Sequence, residues 1–168
     1  MSPRYVVVGP PGAGKTTVSE LLAARLGLPF RDVDADVVAL AGKPIPDIFT
    51  DDGETVFRAM EEEAVAKALV EHEGVLALGG GAVLSAATRE RLRGHTVVFL
   101  NVGMAEGVRR TGLAANRPLL TGINPRATFK ALLDARLPLY REVATTEVLT
   151  DALDPEQVAD AVIKGAGE

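Results

Sequence analysis

The sequence lacks cysteine and tryptophan altogether, and its aromatic residues are two tyrosines and five phenylalanines. Without cysteine the chain has neither disulfides nor thiolate metal ligands. It also lacks an apolar run close to the roughly 20 residues that a membrane helix requires. No hydrophobic stretch typical of a signal peptide precedes the first predicted strand. These absences predict a cytoplasmic protein.

Positive charge is also in short supply, because 18 basic residues face 23 acidic ones and the net charge is −5. A general nucleic-acid or anionic-membrane binder needs a basic face, so both classes are disfavoured. The chain has 168 residues and an apolar fraction of 47%. Such a chain can bury a real core, and its length predicts one domain over residues 1–168.

Predicted strands alternate with predicted helices along the chain. The predicted strands are 4–9, 29–34, 75–81 (strand, then turn), 96–102 and 147–150. The predicted helices are 15–27, 35–51 (interrupted at GKPIPD), 53–74, 86–94, 104–111, 126–142 and 154–167. This alternation predicts an α/β fold of three layers, in which helices cover both faces of a five-stranded parallel sheet. Ligands of such sheets bind at the carboxyl ends of the strands.

A glycine-rich turn, GPPGAGKTT at residues 9–17, follows the first predicted strand and matches G-x-x-x-x-G-K-[ST]. Gly12 and Gly14 let backbone N–H groups approach a β-phosphate, and the next helix adds its positive dipole end. Lys15 is predicted to bridge the β- and γ-phosphates, and the Thr16 hydroxyl to bind Mg²⁺. The chain has no N-K-x-D tetrapeptide to read guanine, which favours ATP. The loop alone fits a kinase, a motor or a switch.

Three aspartates at alternate positions, Asp32, Asp34 and Asp36, follow the second predicted strand. They share one face if the chain is still extended. No acidic residue stands after the third strand, where a Walker-B aspartate usually lies, so Asp32 is the nearest candidate for the metal. Asp34 is expected to bind an alcohol and take its proton. The alternative is that an aspartate merely caps the next helix, which we expect of Asp36.

Three arginines lie in segments that should surround one cleft. Arg58 is on the long predicted helix, where Glu61 at i+3 can hold its guanidinium. Arg117 lies in residues 112–125, whose glycines and prolines predict a mobile lid. Arg136 lies on the helix that follows. Each alone is more commonly a solvated charge. Together they predict two arginines for a substrate carboxylate and one lid arginine for the transferring phosphoryl group.

Six stretches of the chain resemble the shikimate kinases, ATP-dependent kinases of the P-loop fold. These stretches are GPPGAGKTT, DVDAD, DIFTDDGETVFRAMEE, LALGGGAV, RRTGLAANRPLL and RLPLYREVA, and they span nearly the whole length. The resemblance implies transfer of the ATP γ-phosphoryl group to the 3-hydroxyl of shikimate, in aromatic amino acid (chorismate) biosynthesis. It implies Mg²⁺, a substrate-binding helical segment at about residues 34–62 and the lid at about 112–125. Nothing in the sequence indicates an obligate partner, so we expect a monomer.

The resemblance also implies roles for single residues. Asp34 would hold the substrate hydroxyls and act as the base, while Arg58 and Arg136 would grip the carboxylate. The turn under the ring would comprise Gly79, Gly80 and Gly81. ATP would contact Gly12, Ala13, Gly14, Lys15, Thr16, Thr17, Arg110, Arg117 and Pro155, with Arg110 and Pro155 flanking adenine. Asp32 would reach Mg²⁺ through water. The chain departs from the family in Val33, where Ser or Thr is common, and in Thr16, which replaces Ser but keeps the hydroxyl.

Two alternatives stay open at the level of sequence. Another small P-loop kinase, acting on gluconate or a nucleoside monophosphate, would share the phosphate loop. The glycine triplet and the set Asp34, Arg58 and Arg136 argue against it. A nucleotide-dependent switch would bind ATP, hydrolyse it slowly and engage a protein partner. Its mark would be a surplus apolar patch or a further domain, and the sequence indicates neither.

Overall fold

The computed structural model describes residues 2–103, 106 and 125–165, where strands alternate with helices as predicted. The strands are β1 (Tyr5–Val8), β2 (Phe30–Asp32), β3 (Val75–Ala77), β4 (Val97–Asn101) and β5 (Thr146–Leu149). The helices are α1 (Lys15–Leu26), α2 (Val33–Ala41), α3 (Ile45–Asp51), α4 (Glu54–Glu71), α5 (Ala86–Arg91), α6 (Pro125–Val143) and α7 (Pro155–Gly165). A short 3-10 helix covers Ala82–Leu84.

The strands form one sheet in the order β2-β3-β1-β4-β5, and every pairing is parallel. In the register, Val7 of β1 pairs with Ala77 of β3, and Ala77 pairs with Asp32 of β2. The predicted five-stranded parallel sheet is therefore confirmed. Because neighbouring parallel strands end at the same edge, the segments after β1, β2 and β3 begin side by side.

Helices cover both faces of this sheet, and the alternation of side chains along β1 divides the core between them. Val6 and Val8 belong to a cluster that includes residues of α2, α3, α4 and α6. Tyr5 and Val7 belong to a second cluster, built with α1 and α7. Each fully buried Val or Leu side chain stabilises the fold by about 1.5–3 kcal/mol relative to exposure. The predicted three-layer arrangement is confirmed.

The second strand ends earlier than the predicted range of 29–34. Its last residue, Asp32, is the N-cap of α2, and its Oδ1 accepts a hydrogen bond of 2.9 Å from the Asp34 N–H. The expectation of three aspartates on one extended face is therefore wrong, since Asp34 and Asp36 lie in the first turn of a helix. The capping role expected of Asp36 is also wrong. Its carboxylate is instead paired with Arg31, with 2.8 Å between Nε and Oδ2.

Other element boundaries agree with prediction to within a few residues. The long helix α4 ends at Glu71, before the predicted stop at Gly74, because His72 already has extended backbone. Pro138 lies inside α6. The predicted helix over 104–111 and the predicted lid over 112–125 fall outside the described residues, apart from Glu106 and the first residue of α6. None of the described helices is long and apolar enough to cross a bilayer.

Candidate active site

The phosphate loop (Gly9–Thr17) joins the buried end of β1 to the first turn of α1. Gly12 and Gly14 have φ values of 85° and 80°, a region that side chains rarely adopt, so glycine is required at both. Lys15 Nζ donates to the carbonyl oxygens of Gly9, at 2.8 Å, and Pro10, at 3.1 Å. The lysine therefore lies back across the loop. No side chain in the described ranges caps α1, so its N-terminal N–H groups can serve an anion.

A cavity of about 490 Å³ adjoins this loop. One wall contains Gly12, Ala13, Gly14 and Thr17, and the opposite wall is formed by residues 150–155 after β5, including Pro155. Pro155 thus lies beside the loop, where the resemblance puts adenine. The other residue expected at adenine, Arg110, lies outside the described residues, as does Arg117.

The glycine turn (Gly79–Gly81) follows β3 and lies against three charged side chains. None of its glycines has a positive φ, so glycine is needed for space rather than for conformation. A Cβ at Gly79 would lie 2.6 Å from Asp34 Oδ1 and 2.7 Å from Glu61 Oε2. A Cβ at Gly81 would lie 2.5 Å from Cζ of Arg58. Asp34, Glu61 and Arg58 therefore surround this turn.

Glu61 is an acidic residue buried at the centre of this arrangement, with 3% of its surface exposed. Its Oε1 accepts a hydrogen bond of 2.8 Å from Nη1 of Arg58, whose Nε also donates to Glu54 at 3.3 Å. Its Oε2 has no hydrogen-bond partner within the described ranges. Burial raises the pKa of Glu61, a shift that Arg58 opposes; Asp34 raises it further and Arg136 lowers it.

Arg136 of α6 is 5% exposed and completes what we call the charged cluster, namely Asp34, Arg58, Glu61 and Arg136. Burial lowers the pKa of Arg136, which Tyr140 opposes, and the nearby Arg58 lowers it further. Two guanidinium groups of like charge thus share one environment with two carboxylates. Arg136 is buried and Arg58 is partly exposed, and guanidinium groups bind carboxylates with two parallel hydrogen bonds, so this pair of arginines is suited to an anionic ligand.

The structure brings together Asp34, Arg58 and Arg136, the three residues on which the sequence-based interpretation depends. It adds two residues that sequence reasoning undervalued. The sequence predicts Glu61 only as a support for Arg58, whereas in the structure Glu61 also interacts electrostatically with Asp34 and Arg136. The sequence gives Tyr140 only as part of RLPLYREVA. Tyr140 lies four residues after Arg136, and this helical spacing predicts that both side chains share one face of α6.

Thr16 and Asp32 are the residues proposed for Mg²⁺ from the sequence. Thr16 lies in the first turn of α1 and Asp32 at the end of β2, so both sit at the same edge of the sheet. Across the described residues, no group of three or more His, Cys, Asp or Glu side chains could hold a metal by itself. This donor set fits Mg²⁺, which prefers oxygen and takes few ligands from the protein when phosphates and water supply the rest.

Comparisons with known proteins agree with this geometry. The model of the family described as "Shikimate kinase" matches residues 11–166. A shikimate kinase of Saccharopolyspora erythraea is 69% identical over 164 residues, covering 98% of this chain and 94% of the relative. One of Salinispora arenicola is 60% identical and covers 95% of both chains. The structure of a shikimate kinase from Acinetobacter baumannii in complex with shikimate superposes with a TM-score of 0.93 at 38% identity, over 98% of this chain and 92% of that one. This chain therefore belongs to the shikimate kinase family.

Proposed function

We propose that this protein transfers the γ-phosphoryl group of ATP to the 3-hydroxyl of shikimate, giving shikimate 3-phosphate and ADP for aromatic amino acid (chorismate) biosynthesis. One observation carries the proposal. A carboxylate, Asp34, and two guanidinium groups, Arg58 and Arg136, meet at the glycine turn, next to the phosphate loop. An acceptor that is both an alcohol and an anion needs this combination.

The substrate carboxylate is held by Arg58 and Arg136. Arg58 is fixed by its bonds to Glu61 and Glu54, and Arg136 is fixed by burial, so neither side chain has to be ordered when substrate binds. The ring lies on the glycine turn, whose lack of side chains leaves room for it. Family membership supports this assignment of substrate.

The reaction joins the substrate oxygen to the γ-phosphorus. The 3-hydroxyl oxygen attacks that phosphorus, the bond to the bridging oxygen of ADP breaks, and the proton passes to the Asp34 carboxylate. Lys15 stabilises the charge on the β- and γ-phosphates from the phosphate loop. Arg117 is assigned to the transferring phosphoryl group, and the lid that carries it excludes water that would hydrolyse ATP.

Mg²⁺ when bound would neutralise part of the phosphate charge, with Thr16 as a direct ligand and Asp32 acting through water. Asp32 has a second task, because its Oδ1 holds the Asp34 N–H and so fixes the start of the helix that presents the base. ATP would extend from the phosphate loop into the cavity lined by Pro155, with Arg110 on the other side of adenine.

The proposal treats residues 1–168 as one domain, with substrate bound by the segment 34–62 and covered by the lid at 112–125. It includes a monomer that acts in the cytoplasm. Light scattering on the purified protein tests the oligomeric state.

The decisive experiment measures ADP release with Mg²⁺·ATP in the presence and absence of shikimate. Strong ADP release only with shikimate, and a product that carries one phosphate, are expected. Turnover of gluconate or a nucleoside monophosphate, with none of shikimate, would assign a different P-loop kinase. Slow ADP release that shikimate does not change would indicate a nucleotide-dependent switch.

A further inference from the structure

Helix α5 lies between the two helices that carry the arginines of the charged cluster. Arg58 is on α4 and Arg136 is on α6, two elements that are far apart in the chain. Helix α5 packs against both of them, and also against the 3-10 helix that follows the glycine turn. The relative position of the two guanidinium groups therefore depends on how α5 is joined to its neighbours.

The hydroxyl of Ser85 joins α5 to α4. Ser85 is the N-cap of α5, and its Oγ accepts a hydrogen bond of 3.1 Å from the Thr88 N–H. The same hydroxyl donates to Oε2 of Glu62 at 2.6 Å. Glu62 lies four residues after Arg58, so the two side chains are neighbours on α4. The start of α5 is thus fixed to α4 one helical turn from Arg58.

The guanidinium of Arg89 joins α5 to two further elements. Its Nη1 donates to the Val83 carbonyl oxygen of the 3-10 helix at 2.7 Å, and its Nε donates to Oε2 of Glu142 on α6 at 3.1 Å. The Arg89 side chain is only 20% exposed. Because a guanidinium is planar and its donors are fixed relative to one another, it holds these two acceptors in one arrangement.

The contact at Val83 extends to the glycine turn through the backbone. Val83 is fully buried, and the Leu84 N–H that follows it donates to the Gly81 carbonyl oxygen at 3.0 Å. The Arg58 guanidinium lies against Gly81. A shift of the 3-10 helix would therefore move the backbone on which Arg58 rests.

We propose that Arg89 is a positioning residue, which fixes α6 relative to α4 and so sets the separation of the Arg58 and Arg136 guanidinium groups. The inference rests on the proposed function, because it assumes that these two groups hold the carboxylate of the acceptor. A guanidinium binds a carboxylate best through two parallel hydrogen bonds, so a changed separation weakens the hold on an anion. A neutral acceptor depends less on this separation. Arg89 thus supports selectivity for an anionic acceptor without touching the acceptor itself.

The test is Arg89→Met, which keeps an apolar stem and removes the guanidinium. The variant loses stability whatever its effect on the substrate, because the buried Val83 carbonyl loses a donor. The informative quantity is therefore a ratio, namely kcat/KM for shikimate divided by kcat/KM for its neutral analogue with CH₂OH in place of the carboxylate. This ratio does not depend on the fraction of protein that is folded. A misplacement of about 1 Å can cost on the order of 100-fold in rate, so a shift of roughly 0.3 to 0.5 Å predicts a ratio lowered about 4- to 10-fold.

Arg93→Met is the matched control, because Arg93 lies four residues after Arg89, is 78% exposed and pairs with Glu90. It should leave the ratio unchanged. Glu142→Ala is a second variant, which removes only the contact with α6 and does so at a position that is 54% exposed, so the fold should persist. It should lower the ratio in the same direction, by about twofold, as expected for a partly exposed ion pair.

The outcomes separate this inference from the proposed function. An unchanged ratio in folded Arg89→Met, with an active wild type, overturns the role of Arg89 alone. If Arg89→Met does not fold, an unchanged ratio in Glu142→Ala has the same meaning. An equal loss in Arg93→Met would also contradict the role of Arg89. A wild type that does not turn over shikimate overturns the proposed function as well.

Discussion

Replacement of Gly79 by alanine tests how tightly the site holds its base. The added Cβ would lie 2.6 Å from Asp34 Oδ1 and 2.7 Å from Glu61 Oε2. Real Cβ atoms essentially never come within 3.0 Å of another atom, and ordinary contact begins at 3.4 Å. The Asp34 carboxylate would therefore have to move by roughly 0.4 to 0.8 Å. Glu61 Oε2 would also have to move, by roughly 0.3 to 0.7 Å, and its burial and its bond to Arg58 resist that movement.

A misplacement of about 1 Å can cost an enzyme on the order of 100-fold in rate, so this displacement predicts a loss of roughly 5- to 40-fold in kcat/KM for shikimate. The KM for ATP should stay within about twofold, because Gly79 faces the carboxylates rather than the phosphate loop. Coupled ADP release gives both constants, and calorimetry gives the melting temperature of the same preparations.

Gly27→Ala serves as the control for stability. Gly27 ends α1 with φ +66° and has nothing within 4 Å of its would-be Cβ, so alanine there adds backbone strain of about 1 kcal/mol but no collision. It should lower the melting temperature and leave kcat/KM unchanged. The reasoning fails if folded Gly79→Ala keeps wild-type kcat/KM, or if Gly27→Ala loses as much activity.

Three further outcomes follow from the site. Lys15→Ala should lower kcat about 100- to 1000-fold while the circular dichroism spectrum stays native, because a charge that stabilises the transition state is lost; full activity would exclude the assigned role. Arg136→Ala should raise the KM for shikimate about 10- to 100-fold and that for ATP little, whereas Arg141→Ala, at an exposed position on the same helix, should change neither. Burial raises the pKa of Glu61 above its ordinary 4.5, so the wild type loses stability as pH rises through that raised value. The melting temperature of Glu61→Gln relative to wild type should therefore be higher at pH 7 than at pH 4, and a constant difference would contradict this.

The sheet and its order of elements could be predicted because local signals agree with the global fold. A β-branched run followed by GPPGAGKTT predicts a buried strand, a phosphate loop and a helix in that order. The structure has this order, with the glycines that bend the chain directly after the buried strand β1. Asp32 shows where such signals fail. An aspartate at the end of a strand and an aspartate that caps a helix look alike in a sequence, and only the observed bond to Asp34 N–H decides between them.

The burial of the site's side chains and their contacts with distant segments could not be predicted in the same way. Helical spacing placed Glu61 next to Arg58, but its burial depends on the glycine turn, which lies almost twenty residues further along the chain. Tyr140 donates to a carbonyl that is 60 residues away in sequence. No local pattern encodes a contact of that kind. It arises because α6 packs against β4 and against the 3-10 helix that follows the glycine turn.

The bond between the Asp32 carboxylate and the Asp34 N–H makes two neighbouring acidic positions a single unit. A change at Asp32 would disturb both the proposed Mg²⁺ site and the first turn of α2, which carries Asp34, so an inactive variant could not be traced to either cause. Asparagine would separate them, because it keeps the cap acceptor and gives up only the charge. Substitutions at Asp32 and Asp34 are therefore expected to depend on each other, because a change at Asp32 alters the position of Asp34.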